Sequence, residues 1–118
     1  MSDYYPDKWQ IVKIDHAGTS HYRVFACWYG GYAGSDSWKL NSGIVKATLK
    51  DNCYHFEGSS GSTYVCHKDT YGANFYGGGV LASLIKEGKE VGTIIEPLAE
   101  SVNPLELNYE DTATLLKP

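Results

Sequence analysis

Four residues in the middle of the chain, Cys53, His55, Cys66 and His67, carry the side chains best suited to ligate a metal or drive nucleophilic chemistry. A zinc site wants four converging ligands, usually anchored on a Cys-x-x-Cys pair. The spacing here is Cys-x-His, followed eleven residues after His55 by Cys-His. Neighbouring strand residues point to opposite faces, so at most one of Cys66 and His67 joins Cys53 and His55. Three candidates are left, and no metal site is assigned. A hydrolase needs a thiol or hydroxyl, a base, and a third group that orients the base. Cys66 or Ser60 with His55 or His67 and Asp69 supplies those types. Ser60 lies in Gly58-Ser-Ser-Gly-Ser62, which is not a Gly-x-Ser-x-Gly elbow, and strand-like residues follow where the elbow demands a helix. A small Cys/Ser-His hydrolase is therefore the alternative reading, and no catalytic residue is assigned.

The Gly58-Ser-Ser-Gly-Ser62 segment has a second use. Its hydroxyls and free backbone N–H groups can cup an anion, because a concave run of amides is itself an anion nest. It lacks the Gly-Lys-[Ser/Thr] ending of a Walker loop. Aromatic residues gather nearby in sequence: Trp28, Tyr29, Tyr32 and Trp38 fall within eleven residues, and Tyr64, Tyr71 and Tyr76 approach them from the other end of a sheet. Ring faces beside hydroxyls and bare backbone suit a flat ligand, or a protein partner that buries them as anchors. The candidate ligand-binding residues are Tyr29, Tyr32, Trp38, Asn41, Ser42, Ser59, Ser60, Ser62, Tyr64, His67, Tyr71 and Tyr76, with no cofactor expected.

These residues must be placed by strands. Residues 9–14 and 21–29 are rich in β-branched and aromatic types around a short Ala-Gly-Thr-Ser turn, which predicts a hairpin. In the second run Val24, Ala26 and Trp28 face one way, and Phe25, Cys27 and Tyr29 the other. Both faces are apolar, so the strand needs cover on both sides, either by a sheet that curls or by a helix with a second cover opposite. A turn-rich loop spans residues 30–37. Residues 44–50 alternate, with Val45, Ala47 and Leu49 predicted inward and Lys46, Thr48 and Lys50 outward. Asp51-Asn52 is a tight turn into residues 54–57, and residues 63–67 follow the Gly/Ser turn. Helical spacing appears in Val80, Leu81, Leu84 and Ile85, with Asn74 or Asp69 as the N-terminal cap and Gly88 as the C-terminal one. Gly77-Gly78-Gly79 either precede this helix or let something approach its backbone closely. Residues 93–96 add a short strand. The fold expected is α+β: a curved five- to six-stranded antiparallel sheet in meander order, partly barrel-like, with one packed helix. Residues 1–96 form that domain and residues 97–118 an arm that is extended or docks on a partner.

At 118 residues, with 42% hydrophobic, 20% charged and 14% aromatic content, the chain has the length and composition of one folded domain. A net charge of -4 with a single arginine, Arg23, argues against non-specific nucleic-acid binding. No apolar run approaches the ~18 residues of a membrane span, and Met1-Ser-Asp-Tyr-Tyr-Pro6 lacks the flank and apolar stretch of a signal peptide. Three irregularly spaced cysteines do not suit a disulfide framework. A soluble cytoplasmic protein with reduced thiols is expected.

The strings Trp28-Tyr-Gly-Gly-Tyr32, Ser37-Trp-Lys-Leu-Asn-Ser-Gly-Ile44 and Tyr54-His-Phe-Glu-Gly-Ser-Ser-Gly-Ser-Thr-Tyr-Val-Cys-His67 resemble those of small accessory proteins of tailed bacteriophages, over residues 5–76. That group has no assigned activity to carry over. The resemblance implies a phage accessory protein made in the bacterial host cytoplasm and acting by binding. It would either block a host protein or sequester a nucleotide signal of host defence. A minor virion or assembly component, oligomeric through the arm, is a further alternative.

Overall fold

The computed structural model describes residues 3–30 and 34–110. Eight strands, β1 (Asp3–Tyr4), β2 (Lys8–His16), β3 (Thr19–Trp28), β4 (Ser37–Leu40), β5 (Ile44–Lys50), β6 (Cys53–Gly58), β7 (Thr63–His67) and β8 (Thr93–Pro97), accompany one helix, α1 (Phe75–Glu90). The strands form two four-stranded sheets, ordered β1-β7-β6-β5 and β4-β3-β2-β8. All pairings are antiparallel except the short β1–β7 contact. The fold class is α+β as expected, but the single curved sheet of five or six strands is corrected: there are two sheets, neither closed into a barrel, and more strands. The meander holds within each half and breaks where the chain passes from β4 to β5.

The reason lies in β3. Val24 and Ala26 are buried against the other sheet, while Phe25 and Cys27 are buried on the opposite face under α1. Both faces of this strand are apolar, and a helix covers one while a second sheet covers the other, giving three layers. β2 repeats the division, with Trp9 and Ile11 between the sheets and Val12 and Ile14 toward the helix. Trp9 joins the layers. Its ring lies 5.4 Å from Phe56 and 4.8 Å from Tyr71, and its indole N–H donates to the His67 carbonyl at 2.7 Å. An aromatic cluster with its polar tip satisfied is a strong source of burial energy.

Turn chemistry follows the residue types. Ala17-Gly18 and Asp51-Asn52 take positive φ at both positions, as two-residue hairpin turns of the primed type require. β5 departs from clean alternation. A bulge at Val45 shifts its register, so that Ile44 joins Ala47 on the inward face; Leu49, two residues past Ala47, is 46% exposed where the strand runs past the core. An extra residue inverts the period on one side of it.

The helix begins before its glycines. Asn74 caps it by accepting from the Gly77 N–H at 2.6 Å. Gly77 packs directly on Cys27, where a Cβ would collide with the sulfur. Gly88 is not the C-terminal cap. It is buried against β8, with a Cβ position 2.9 Å from the Thr93 carbonyl oxygen, and the chain turns at Gly92 with φ 79°.

Residues 97–110 lie on the domain. Pro97 completes β8 opposite Val12, and the Leu98 N–H donates to the Ile11 carbonyl at 2.9 Å. Tyr109 is buried in the core between the sheets, edge-on to Tyr22, and its hydroxyl donates to the Pro104 carbonyl at 2.6 Å. Among the described residues, no helix is long and apolar enough to cross a membrane.

Candidate functional site

Where the chain leaves one sheet for the other, a cleft of about 250 Å³ opens, lined by Tyr4, Arg23, Lys39, Leu40, Asn41, Ser42, Gly58, Ser60, Ser62 and Tyr64. Its floor is built by Asn41. The Asn41 N–H donates to the Val24 carbonyl at 3.0 Å, and its Oδ1 accepts from the Val24 N–H at 2.8 Å and the Gly43 N–H at 3.3 Å. The side chain thus completes the β3 ladder that the backbone abandons as it turns toward β5. With Oδ1 committed, Nδ2 lies on the opposite side, against the bare face of Gly58. A Cβ on Gly58 would come within 3.3 Å of it. Asn41 is 3% exposed, and Nδ2 is buried without a hydrogen-bond partner. An unmade buried donor costs about 1–3 kcal/mol, a cost carried here in the wall beneath the cleft.

One wall comes from the serine turn between β6 and β7. Ser59 N–H donates to the Gly43 carbonyl at 2.9 Å and Ser59 Oγ to the Ser42 carbonyl at 3.1 Å. Ser42 Oγ accepts from the Ser60 N–H at 2.9 Å and donates to Ser60 Oγ at 3.1 Å. The two connections are therefore zipped together, and the Ser60 hydroxyl hydrogen is left free to point outward.

The facing wall carries positive charge. Arg23 Nε donates to His21 Nε2 at 2.9 Å and Nη1 to the Asn41 carbonyl at 3.3 Å, which fixes the guanidinium with further N–H groups unspent. Burial lowers the Arg23 pKa, yet an arginine stays charged. Burial, and then the Arg23 charge, lowers the pKa of His21 and favours the neutral imidazole that accepts this bond. Lys39 Nζ sits over the Tyr4 ring, 5.4 Å from its centroid, and that ring lies 4.9 Å from Tyr64. Burial pushes the Tyr64 hydroxyl up to about 12, so it is a neutral donor. Among the described residues, Lys46 pairs with Glu57, and the His67 ring lies near the Asp69 carboxylate, and neither cation of the cleft takes part. No carboxylate, imidazole or thiol among the described residues lines the cleft.

Of the residues singled out from sequence, Asn41, Ser42, Ser60, Ser62 and Tyr64 meet here, and Ser59 braces the wall from outside. The others lie elsewhere. Trp38 stacks on Phe25 at 5.7 Å in the helix-side core. Tyr71 is a strut, its hydroxyl accepting from the Ile11 N–H at 3.2 Å and donating to the Leu98 carbonyl at 2.7 Å. Tyr29 and Tyr76 are exposed, and Tyr32 falls outside the described residues. His67 is exposed, with Nδ1 accepting from the Asp69 N–H at 3.1 Å.

The Cys66-His arrangement is not assembled. Cys66 is fully buried between the sheets, its thiol pushed well up by burial, whereas His67 is exposed on the opposite face of β7. Ser60 is bonded to Ser42 rather than to an imidazole. Among the described residues, no three His, Cys, Asp or Glu side chains converge closely enough to hold a metal ion. A second, broader depression of about 370 Å³ on the outer face of β5–β7 sets the carboxylates of Asp3 and Glu57 beside Lys50 and His55.

Sequence reasoning missed Tyr4, Arg23, Lys39 and Leu40. One signal for Arg23 was present: it is the single arginine, set inside the most apolar strand. Compared with known protein families, characterised proteins and solved structures, the chain matches none.

Proposed function

We propose that this protein is a non-catalytic binding protein that captures a small anion-bearing molecule, of the nucleotide class, in the cleft between its two sheets. The observation that carries the reading is a cleft lined by two cations, Arg23 and Lys39, that have no carboxylate partner among the described residues. A positive cleft in a chain of net charge -4 concentrates anions locally against the overall field. In the bacteriophage setting that the sequence resemblance implies, such a protein acts by occupancy, removing a nucleotide signal from solution.

Thermal-shift and calorimetric titration against inorganic anions and mono-, di- and cyclic nucleotides tests this. A ligand at a hundred times its Kd stabilises the native state by ~2.7 kcal/mol. The stabilisation should vanish in Gly58→Ala, because the added Cβ would meet Ser42 Oγ at 3.1 Å and Asn41 Nδ2 at 3.3 Å and fill the floor. Flat responses across the panel, or equal responses in wild type and Gly58→Ala, would defeat the reading.

A further inference from the structure

We infer that the cleft selects a terminal, doubly charged phosphoryl group, a phosphomonoester or free phosphate, over a singly charged phosphodiester; this rests on the binding reading above. Three observations support it. Among the described residues, the lining holds two positive charges, Arg23 and Lys39, and no negative one, which matches a dianion. The groups left over after the internal hydrogen bonds are donors: the Ser60 hydroxyl, the unspent Arg23 N–H groups and the Lys39 ammonium. A monoester dianion offers three charged acceptor oxygens to such a set, and a diester only two, its bridging oxygens being poor acceptors.

The cleft also has a direction. Asn41, Gly58 and Tyr64 at its floor are buried, whereas Lys39 and Ser60 at its rim are exposed. A group that reaches Asn41 must enter end-on. A terminal phosphoryl does so with its substituent trailing outward past the Tyr4 ring. The phosphorus of a diester carries two substituents, and both would have to leave by the same opening.

The test is calorimetry on the full chain near pH 7.5, above the phosphomonoester second pKa of about 6. The probes are adenosine 5′-monophosphate, adenosine 3′,5′-cyclic monophosphate and inorganic phosphate. The two nucleotides share base and sugar and differ in the charge and connectivity of the phosphate. The monophosphate should bind at least about tenfold more tightly than the cyclic diester, the scale of one extra charge facing two cations in a partly desolvated site. Lys39→Gln, a change at an exposed side chain, should shrink that preference while leaving the melting temperature unaltered. Inorganic phosphate binding as tightly as the monophosphate supports the dianion and assigns free phosphate as the source. Tighter binding of the nucleotide supports it and assigns an organic monoester. Equal affinity for monoester and cyclic diester overturns the selectivity and leaves the anion-binding reading standing. Silence toward all three probes overturns both.

Discussion

Three consecutive glycines in the first turns of α1 should respond to alanine with opposite signs. Gly78 and Gly79 are exposed, with no neighbour within 4 Å of where a Cβ would stand. Alanine at either removes the entropic cost of glycine in a helix and should stabilise by about 0.5–1 kcal/mol. Gly77 faces Cys27, whose sulfur a Cβ would strike, and the same Cβ would lie 2.9 Å from Asn74 Oδ1, the capping oxygen. Overpacking costs about 1–3 kcal/mol and a weakened cap about 1 kcal/mol, against the same propensity gain, so Gly77→Ala should destabilise by about 1–3 kcal/mol. For a chain of 118 residues the unfolding entropy makes 1 kcal/mol worth about 4 °C. Calorimetric melting should therefore fall by about 4–12 °C for Gly77→Ala and rise by about 2–4 °C for Gly79→Ala. Adding Cys27→Ala to Gly77→Ala should cost less than the sum of the two, with a coupling of about 1 kcal/mol or more. If Gly77→Ala raised the melting temperature as Gly79→Ala does, the helix would not rest on β3 as described, and the account of its glycines would be wrong.

Other outcomes follow from the same packing. His21 is held below its ordinary value of 6.5 by burial and by Arg23. The unfolded chain then binds more protons below that pH, so stability falls as pH drops through the window beneath about 6.5, with a limiting slope of ~1.4 kcal/mol per pH unit, and is flat with respect to this group above it. Urea melts at stepped pH should show a shallower acid decline in His21→Gln, and identical slopes would remove His21 from the account. Burial raises the thiols of Cys27 and Cys66, while Cys53 is only partly buried. Ellman's reagent should label Cys53 first in the native state and all three after unfolding, so a fast phase that survives Cys53→Ser would contradict the placement of the other two. Tyr109→Ala removes a buried ring and its bond to Pro104 and should cost about 3 kcal/mol in chemical denaturation. Unchanged stability would show that the chain beyond β8 does not close the core.

Legibility divides along contact range. The Ala17-Gly18 and Asp51-Asn52 turns, the hairpins they close, the two-faced character of β3 and the Asn74 cap were readable, because each depends on preferences within a few neighbouring residues. The bulge at Val45 was not, since it answers to the partner strand rather than to its own residues. Half of the cleft was visible as Asn41 and the serine turn, where small polar residues cluster along the chain. Its charged half was hidden: Arg23 reaches Asn41 eighteen positions on, and Tyr4 meets Tyr64 from the far end of the sequence. Local residue types thus determined most of the strands, the turns and the helix, though not β1 or β4, and required that β3 be covered twice. Only the tertiary structure decided that a second sheet supplies one cover, because that choice rests on which apolar faces bury each other across long loops. The same choice brought two cations, Arg23 and Lys39, to one cleft.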